Sequence, residues 1–476
     1  MVEDRMCGKG VNKMIERNEM QETAKKFKDP KALILGSHSA LDAAAGARNY
    51  DLPYLIYTTP QRAIIYLQNP MVGKSKEVVE DLPAVVRRDM LVVRDIADLK
   101  KKKFTHAILI LDKYSDIVKF VDDLVDLECL QIPNRAFSVY VGGDEKCSVI
   151  ENDFAVPIVG SRKLLKIENR GEIEKDYYWF AQQAGIPTPK SFEVEIKKDE
   201  IKFKKKIEQP LILKTEFKHR QFERSFIFAG NSDDLEQKVK KEVEAGNIDE
   251  DGLKIARIEE YVPGPHANFN YFFSPLNAKE SWGDAEKAYA EIYNVPIEEA
   301  RSCLANEFLS IDERREATHD GVIRLPADVQ LKADWSKTPY PLSFEVTFHA
   351  DISIRESLLK DVHKTANAFL KAAQIHEPPG ILGAWCLQTL ITWTKMGTIS
   401  GVNLGLYDVP EGSEVFMHTP VTQDVALRHG GGTNTHLGIG SKYANAKYQR
   451  RMSMGDRIAL EIKRAINRDM LAELVT

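Results

Sequence analysis

From Lys31 onward the chain alternates short apolar runs with amphipathic stretches, and this alternation restricts the fold more than any other feature. Ala32-Leu33-Ile34-Leu35-Gly36 reads as a buried strand, Ser39 to Arg48 as a helix, and Tyr54-Leu55-Ile56-Tyr57 as a second strand. His106 to Leu111 reads as another strand, and Asp116 to Leu130 has helical spacing, with Ile117, Val121, Leu124 and Leu127 on one face. Ala136 to Val141 is expected to close the segment as a strand before the turn Gly142-Gly143-Asp144. Strands alternating with helices argue for a parallel α/β sheet.

The pattern changes near Val156. A helix over Glu172–Ala184 stops at Gly185-Ile186-Pro187-Thr188-Pro189, and Pro210–Lys214 with Ser225–Ala229 reads as an antiparallel pair. A helix from Ser232 to Ala245, a strand from Lys254 to Val262 and an aromatic-alternating strand from Asn268 to Phe273 follow. Residues 277–317 are charged, locally helical and lack strand signals, as an insertion would. Ser353, with Glu356 three positions on, predicts a capped helix to about Ile375. The apolar run Ala384–Trp393, a strand into Asp424 and an amphipathic helix over Ser453–Leu474 complete the reading.

The 476 residues exceed what one hydrophobic core organises. We expect a 1–30 extension, an α/β unit over 31–154, and an α+β unit over 155–476 that carries the insertion near 277–317. A formal net charge of -5, from 66 basic and 71 acidic residues, gives no electrostatic case for a nucleic-acid or membrane partner. The five cysteines are scattered with no CxxC pair, which fits neither a disulfide framework nor a zinc site and suits a reducing cytoplasm. No apolar run has the length of a membrane span, and the charged N-terminus lacks a signal-peptide core.

Four places could carry chemistry. Gly36-Ser37-His38-Ser39 joins a buried strand to a helix, whose N-terminus suits a phosphate, with His38 as an added donor. A capped helix with an exposed histidine would read the same way. Lys214 ends a buried strand, where a cation needs an anionic partner or must snorkel to the surface. Glu259-Glu260-Tyr261-Val262 puts extended backbone at a strand end, an edge able to meet an adenine. Asp424 to Arg428, followed by His429-Gly430-Gly431-Gly432-Thr433-Asn434, could pair a Mg²⁺-type carboxylate with an arginine able to stabilise a phosphoryl group and glycines that let backbone approach an anion, and a plain glycine-rich turn would read the same way. HExxH, GxSxG and P-loop motifs are absent.

Eight segments in order resemble the archaeal formate-dependent ligase family that formylates aminoimidazole carboxamide ribotide (AICAR). They are LGSHSALD (35–42), IPNRAFSVYVG (132–142), IEEYVPG (258–264), DGVIRLPA (320–327), IRESLL (354–359), PPGILGAWCLQ (378–388), GGGTNTHLGIGS (430–441) and MGDRIALEIK (454–463). The resemblance implies a Rossmann-like pre-ATP-grasp domain followed by an ATP-grasp domain, ATP with Mg²⁺ (or Mn²⁺), formate and AICAR as substrates, and a homo-oligomer. It implies that His38 and Ser39 contact AICAR, that Lys214 meets the nucleotide phosphates, and that Glu259, Glu260, Tyr261 and Val262 line the adenine. Asp424 and Gln388 would be the metal positions, and Arg355, Arg428 and Asn434 would lie near phosphoryl transfer. The sequence departs from the family at Ala136, where a serine touches substrate, at Thr318, where an asparagine is expected, and at Gln388, where a glutamate is. The segment after Lys214 lacks the family's glycines and carries Lys218, His219, Arg220 and Arg224 instead. These changes leave open a ligase of the same fold with another acid or amine, and a nucleotide-binding regulatory paralog.

Overall fold

A computed structural model of the chain describes residues 14–68, 90–144, 146–169, 173–197, 200–215, 225–340, 342–343, 345–398, 414–432 and 442–476. Strands β1 (Lys31–Leu35), β2 (Tyr54–Thr58), β3 (Met90–Val93), β4 (His106–Ile110) and β5 (Cys129–Ile132) form one sheet in the order β3-β4-β2-β1-β5. All its pairings are parallel. Nearly every residue of β1, β2 and β5 is buried, which is why β1 and β2 read as unbroken apolar runs.

A second, antiparallel sheet combines β6 (Ser191–Phe192), β9 (Leu211–Thr215), β10 (Ser225–Ala229) and β11 (Arg257–Glu260) in the order β10-β9-β11-β6. Between β6 and β9 lies the small hairpin of β7 (Val194–Lys197) and β8 (Glu200–Phe203). The third sheet holds β12 (His266–Phe273), β13 (Asn306–Glu316), β14 (Val346–Asp351), β15 (Gly383–Thr398) and β16 (Glu414–Ala426), ordered β14-β13-β12-β15-β16 and antiparallel throughout. One face of this sheet packs Phe269, Tyr271, Ile311, Leu387 and Val425 against the long helix Glu356–His376. The opposite face carries Asn268, Asn270, Arg314, Gln388 and Asp424, while at one end of it Phe272 and Ala384 join the core of the first sheet.

The last helix, Met454–Asn467, joins the core of the first sheet through Met454, Ile458 and Ile462. Ser453 caps it, exchanging hydrogen bonds with Asp456 (3.0 and 3.1 Å), an arrangement worth about 1 kcal/mol. It crosses helix Ala40–Asn49 at backbone contact: a Cβ on Gly46 would lie 2.0 Å from the Gly455 carbonyl carbon, so both positions require glycine. Among the described residues no helix is long and apolar enough to cross a membrane.

Several local expectations are corrected. Ala136–Val141 is part of a helix (Arg135–Val141), capped by the Asn134 side chain accepting from Phe137 N–H at 3.0 Å; the closing strand is β5, just before it. The helical reading over Asp116–Leu130 therefore ends at Asp126, where β5 needs the chain extended. The expected strand Lys254–Val262 is shorter, because Asp249 caps a helical turn over Glu250–Lys254. The helix expected from Ser353 starts at Glu356 with no capping box, since the backbone leaving β14 is still extended at Arg355. The segment read as an insertion without strands holds two helices, Asp284–Tyr293 and Ile297–Leu304, and then β13, an internal strand of the third sheet.

Candidate functional site

The polar face of the third sheet floors a cavity of about 880 Å³, within the usual range for small-molecule sites. Cross-strand pairing aligns Asp312, Asn268, Gln388 and Asp424 in one row across β13, β12, β15 and β16. Side chains two residues apart on a strand share a face, so Ser310 and Arg314 flank Asp312, and Asn270 follows Asn268.

At one end stand β9, β10 and β11, with Ile212, Phe226, Phe228, Tyr261 and Val262 in the lining. Lys214 is buried there, and its partner is Glu259, Nζ to Oε2 2.6 Å, with side chains 5% and 0% exposed. Arg257 Nε binds the other oxygen at 2.7 Å, and its guanidinium lies 3.3 Å from the centroid of the Tyr178 ring. Burial alone would raise the Glu259 pKa, but Lys214, Tyr178 and Arg257 reverse this and hold it below the ordinary carboxylate value. His266 is pushed down to about 4 by burial and then by Arg314 and Lys214, so its ring is neutral near pH 7.

At the other end, Asn134 donates to the carbonyls of Leu35 and Ser37 at 3.2 and 3.1 Å, which shapes the loop after β1. Within that loop His38 has φ +57°, an uncommon conformation for a side-chain-bearing residue, and its exposed ring lines the cavity. Surrounding protein, then the charges of Arg428, His429, His349 and Arg135, lower its pKa well below 6.5. Because the ring itself faces open space, water offsets part of the desolvation, and the cationic neighbours are the firmer cause. Arg428 and Arg135 share Glu168, at 3.0 and 3.3 Å. Behind them His429 and Asp42 form a buried pair, Nε2 to Oδ2 2.7 Å.

The glycines after His429 have a steric reason. A Cβ on Gly432 would sit 2.2 Å from Asp312 Oδ2, and one on Gly431 would sit 3.0 Å from His38 Nε2. This loop thus brings the end of β16 against both the sheet floor and the loop after β1.

Of the residues expected from sequence, His38, Lys214, Glu259, Glu260, Tyr261, Val262, Gln388, Asp424 and Arg428 line this single cavity. Ser39 is buried behind it, with its hydroxyl on the His429 carbonyl at 3.5 Å. Ala136 is buried in helix Arg135–Val141, whose Arg135 and Val139 do reach the lining. Thr318 turns away to accept from Ser343 N–H at 2.6 Å, while its neighbour His319 faces the cavity. Arg355, exposed at the start of the long helix, is outside the lining. Asn434 and the basic residues Lys218, His219, Arg220 and Arg224 lie outside the described residues. Sequence reasoning missed Asn268, Asn270, Asp312, Arg314 and His349; the available signal was the period-two pattern Leu309/Ile311 against Ser310/Asp312/Arg314.

Residues 234–476, more than half of the chain, match the family model described as a domain of unknown function, DUF1297. The chain belongs to the DUF1297 family. Residues 32–192 of this DUF1297 chain also match a protein of unknown function, DUF1246. It is 29% identical over 370 residues, 77% of the chain and 82% of the relative, to a protein of Methanothermobacter thermautotrophicus named 5-formaminoimidazole-4-carboxamide-1-(beta)-D-ribofuranosyl 5'-monophosphate synthetase. A Methanopyrus kandleri protein of the same name is 26% identical over 467 residues, 97% of the chain and 100% of the relative. Among solved structures, the IMP biosynthesis protein PurP from Thermococcus kodakaraensis superposes with a TM-score of 0.53 at 21% identity, over 94% of the chain and 100% of that protein. That likeness shows the fold of the DUF1297 chain: an ATP-grasp architecture with a Rossmann-like N-terminal sheet, mixed α/β and α+β, as the sequence implied.

Proposed function

We propose that this chain is an ATP- and formate-dependent ligase that formylates the amine of AICAR through formyl phosphate, a step of purine-nucleotide synthesis. The names of its relatives support this reading. The observation that carries it is one cavity joining the Lys214–Glu259 end to the His38–Arg135–Arg428 end across a polar floor. Two anions can be held at the two ends with their reacting groups brought together between, which is the arrangement acyl-phosphate chemistry needs.

The segment Glu259–Val262, in the cavity lining, would meet the adenine, and the triphosphate would draw on Lys214 and Arg257 once it supplies the negative charge that Glu259 supplies now. Arg428 and Arg135, already paired to a shared carboxylate, would accept the ribotide phosphate or neutralise the transferring group. Asp424 on the cavity floor fits a Mg²⁺ or Mn²⁺ ligand, because one carboxylate together with phosphate oxygens is a usual set. Gln388 fits less well as a second ligand, since its Oε1 accepts from Arg314 at 2.8 Å. The metal would neutralise phosphate charge during transfer.

That occupied Gln388 oxygen favours a second reading, a paralog that binds nucleotide without turnover. ADP release from Mg-ATP, formate and AICAR, with each omitted in turn, separates the two. Release that requires both formate and AICAR supports the ligase; ATP binding without such release supports the paralog.

A further inference from the structure

Asp312 is fully buried, and three donors converge on its carboxylate. Asn270 Nδ2 reaches Oδ1 at 2.7 Å, and Asn268 Nδ2 reaches Oδ2 at 2.8 Å. His349 Nδ1, from the edge strand β14, reaches Oδ2 at 2.7 Å. A carboxylate oxygen accepts, so His349 donates from Nδ1, and the tautomer this contact selects leaves Nε2 as an acceptor. The ring lines the cavity, and its Nε2 lies 3.5 Å from where a Cβ on Gly431 would begin. His38 Nε2 lies 3.0 Å from that same point, so both imidazoles crowd the same side of Gly431. The phosphate and metal contacts described above make no use of this Asp–His pair.

We propose that His349 is the general base of the second half-reaction, and that Asp312, Asn268 and Asn270 are positioning residues that hold its tautomer and orientation. This rests on the ligase reading. The amine nitrogen bonds to the carbonyl carbon of the acyl phosphate while His349 Nε2 takes the nitrogen's proton. The bond from that carbon to the phosphate oxygen breaks, its electron pair leaves with the phosphate, and the imidazolium later returns the proton to phosphate or solvent. The floor has room for the assembly. Three strand spacings separate Asp312 from Asp424, about 14 Å between backbones, from which side chains converge on a phosphoryl group, a one-carbon acyl group and an amine in line. Among the described residues, the charged and titratable groups near His349 include Arg314 on β13, Asp351 on its own strand and His38 from the loop after β1, and Arg428 lines the same cavity.

The test uses the full chain with Mg-ATP and formate, with hydroxylamine to trap the acyl phosphate or AICAR to consume it. In H349Q the ratio of amide product to trapped hydroxamate should fall by about 100-fold or more, the usual worth of a general base. The acidic limb of the kcat/KM profile for AICAR should flatten, and added imidazole should restore amide formation to H349A. Asp312→Asn can turn an N–H toward Nδ1 and favour the wrong tautomer, so it should lower the same ratio. If H349Q lowers hydroxamate and amide equally, or keeps the wild-type ratio and pH profile, His349 is not the base. Wild-type protein that forms neither product would instead remove the ligase reading, and the base with it.

Discussion

Glu259 pairs with both Lys214 and Arg257 at one end of the cavity, and Glu259→Gln tests that charge without changing shape. The carboxylate holds Lys214 at 2.6 Å and Arg257 at 2.7 Å inside a wall where its own side chain is 0% exposed. Two unit charges near 4 Å interact by about 4 kcal/mol at an effective dielectric constant of 20. Breaking a buried pair by removing one partner costs about 3–5 kcal/mol. Glutamine retains a hydrogen-bond acceptor for Lys214, so the lower figure applies, and a loss of about 3 kcal/mol is expected in the ligand-free protein. The loss should appear as faster amide exchange in β9 and β11 and as a lower urea midpoint. Since the folded carboxyl titrates below its ordinary value, its contribution is complete above that value and disappears as pH falls through the depressed one. The gap between wild type and variant should therefore close in acid. ATP should recover part of the deficit, because its phosphates would replace the missing anion beside Lys214. A variant as stable as wild type at pH 7, or a stability gap independent of pH, would refute the argument.

Gly432→Ala should push the loop off Asp312, since its Cβ would lie 2.2 Å from Oδ2, and a fall in kcat/KM for AICAR of about tenfold or more is expected in steady-state kinetics. Unchanged kinetics would mean that the loop can shift at no cost. Gln388→Glu should lower the Mg²⁺ concentration for half-maximal ADP release by about tenfold if the position faces the metal; an unaltered titration would remove it from the metal site. Glu307, paired with Arg457 at 2.9 Å, has its pKa lowered from 4.5 to about 2, its burial outweighed by Arg457 and Lys447. That shift corresponds to about 3 kcal/mol, present above pH 4.5 and lost as pH falls toward 2. Thermal melts across that range should show Glu307→Gln losing the wild type's acid sensitivity, and parallel curves would contradict the assignment.

Much of the frame follows from local pattern. β1, β2 and β4 are apolar at nearly every position because helices or loops cover both faces, so they are legible wherever they occur. The β9–β10 pair and a strand into Glu259–Glu260 were visible for similar reasons, as was the cationic character of Lys214, though not that Glu259 would be its partner or that β11 would be flanked by β6 rather than form an edge. Arg355 was placed by its motif alone, and the extended backbone before the long helix carries it away from the cavity.

The sequence by itself determined a chain of parallel α/β organisation followed by mixed structure, with an anion-suited loop at His38 and a glycine run after His429. Only tertiary structure decided that these distant segments share one cavity, and which residues floor it. β13 shows why. Its inward face supplies Phe269 and Tyr271 of the neighbouring strand with Ile311, but its other face bears Ser310, Asp312 and Arg314, so the segment reads as a charged insertion. A strand that serves a site spends its polar positions on that site, and local hydrophobic periodicity fails where function is densest. The Asp312–His349 pair adds a second reason: it joins residues 37 positions apart on adjacent strands, a contact that register sets and that spacing along the chain does not encode.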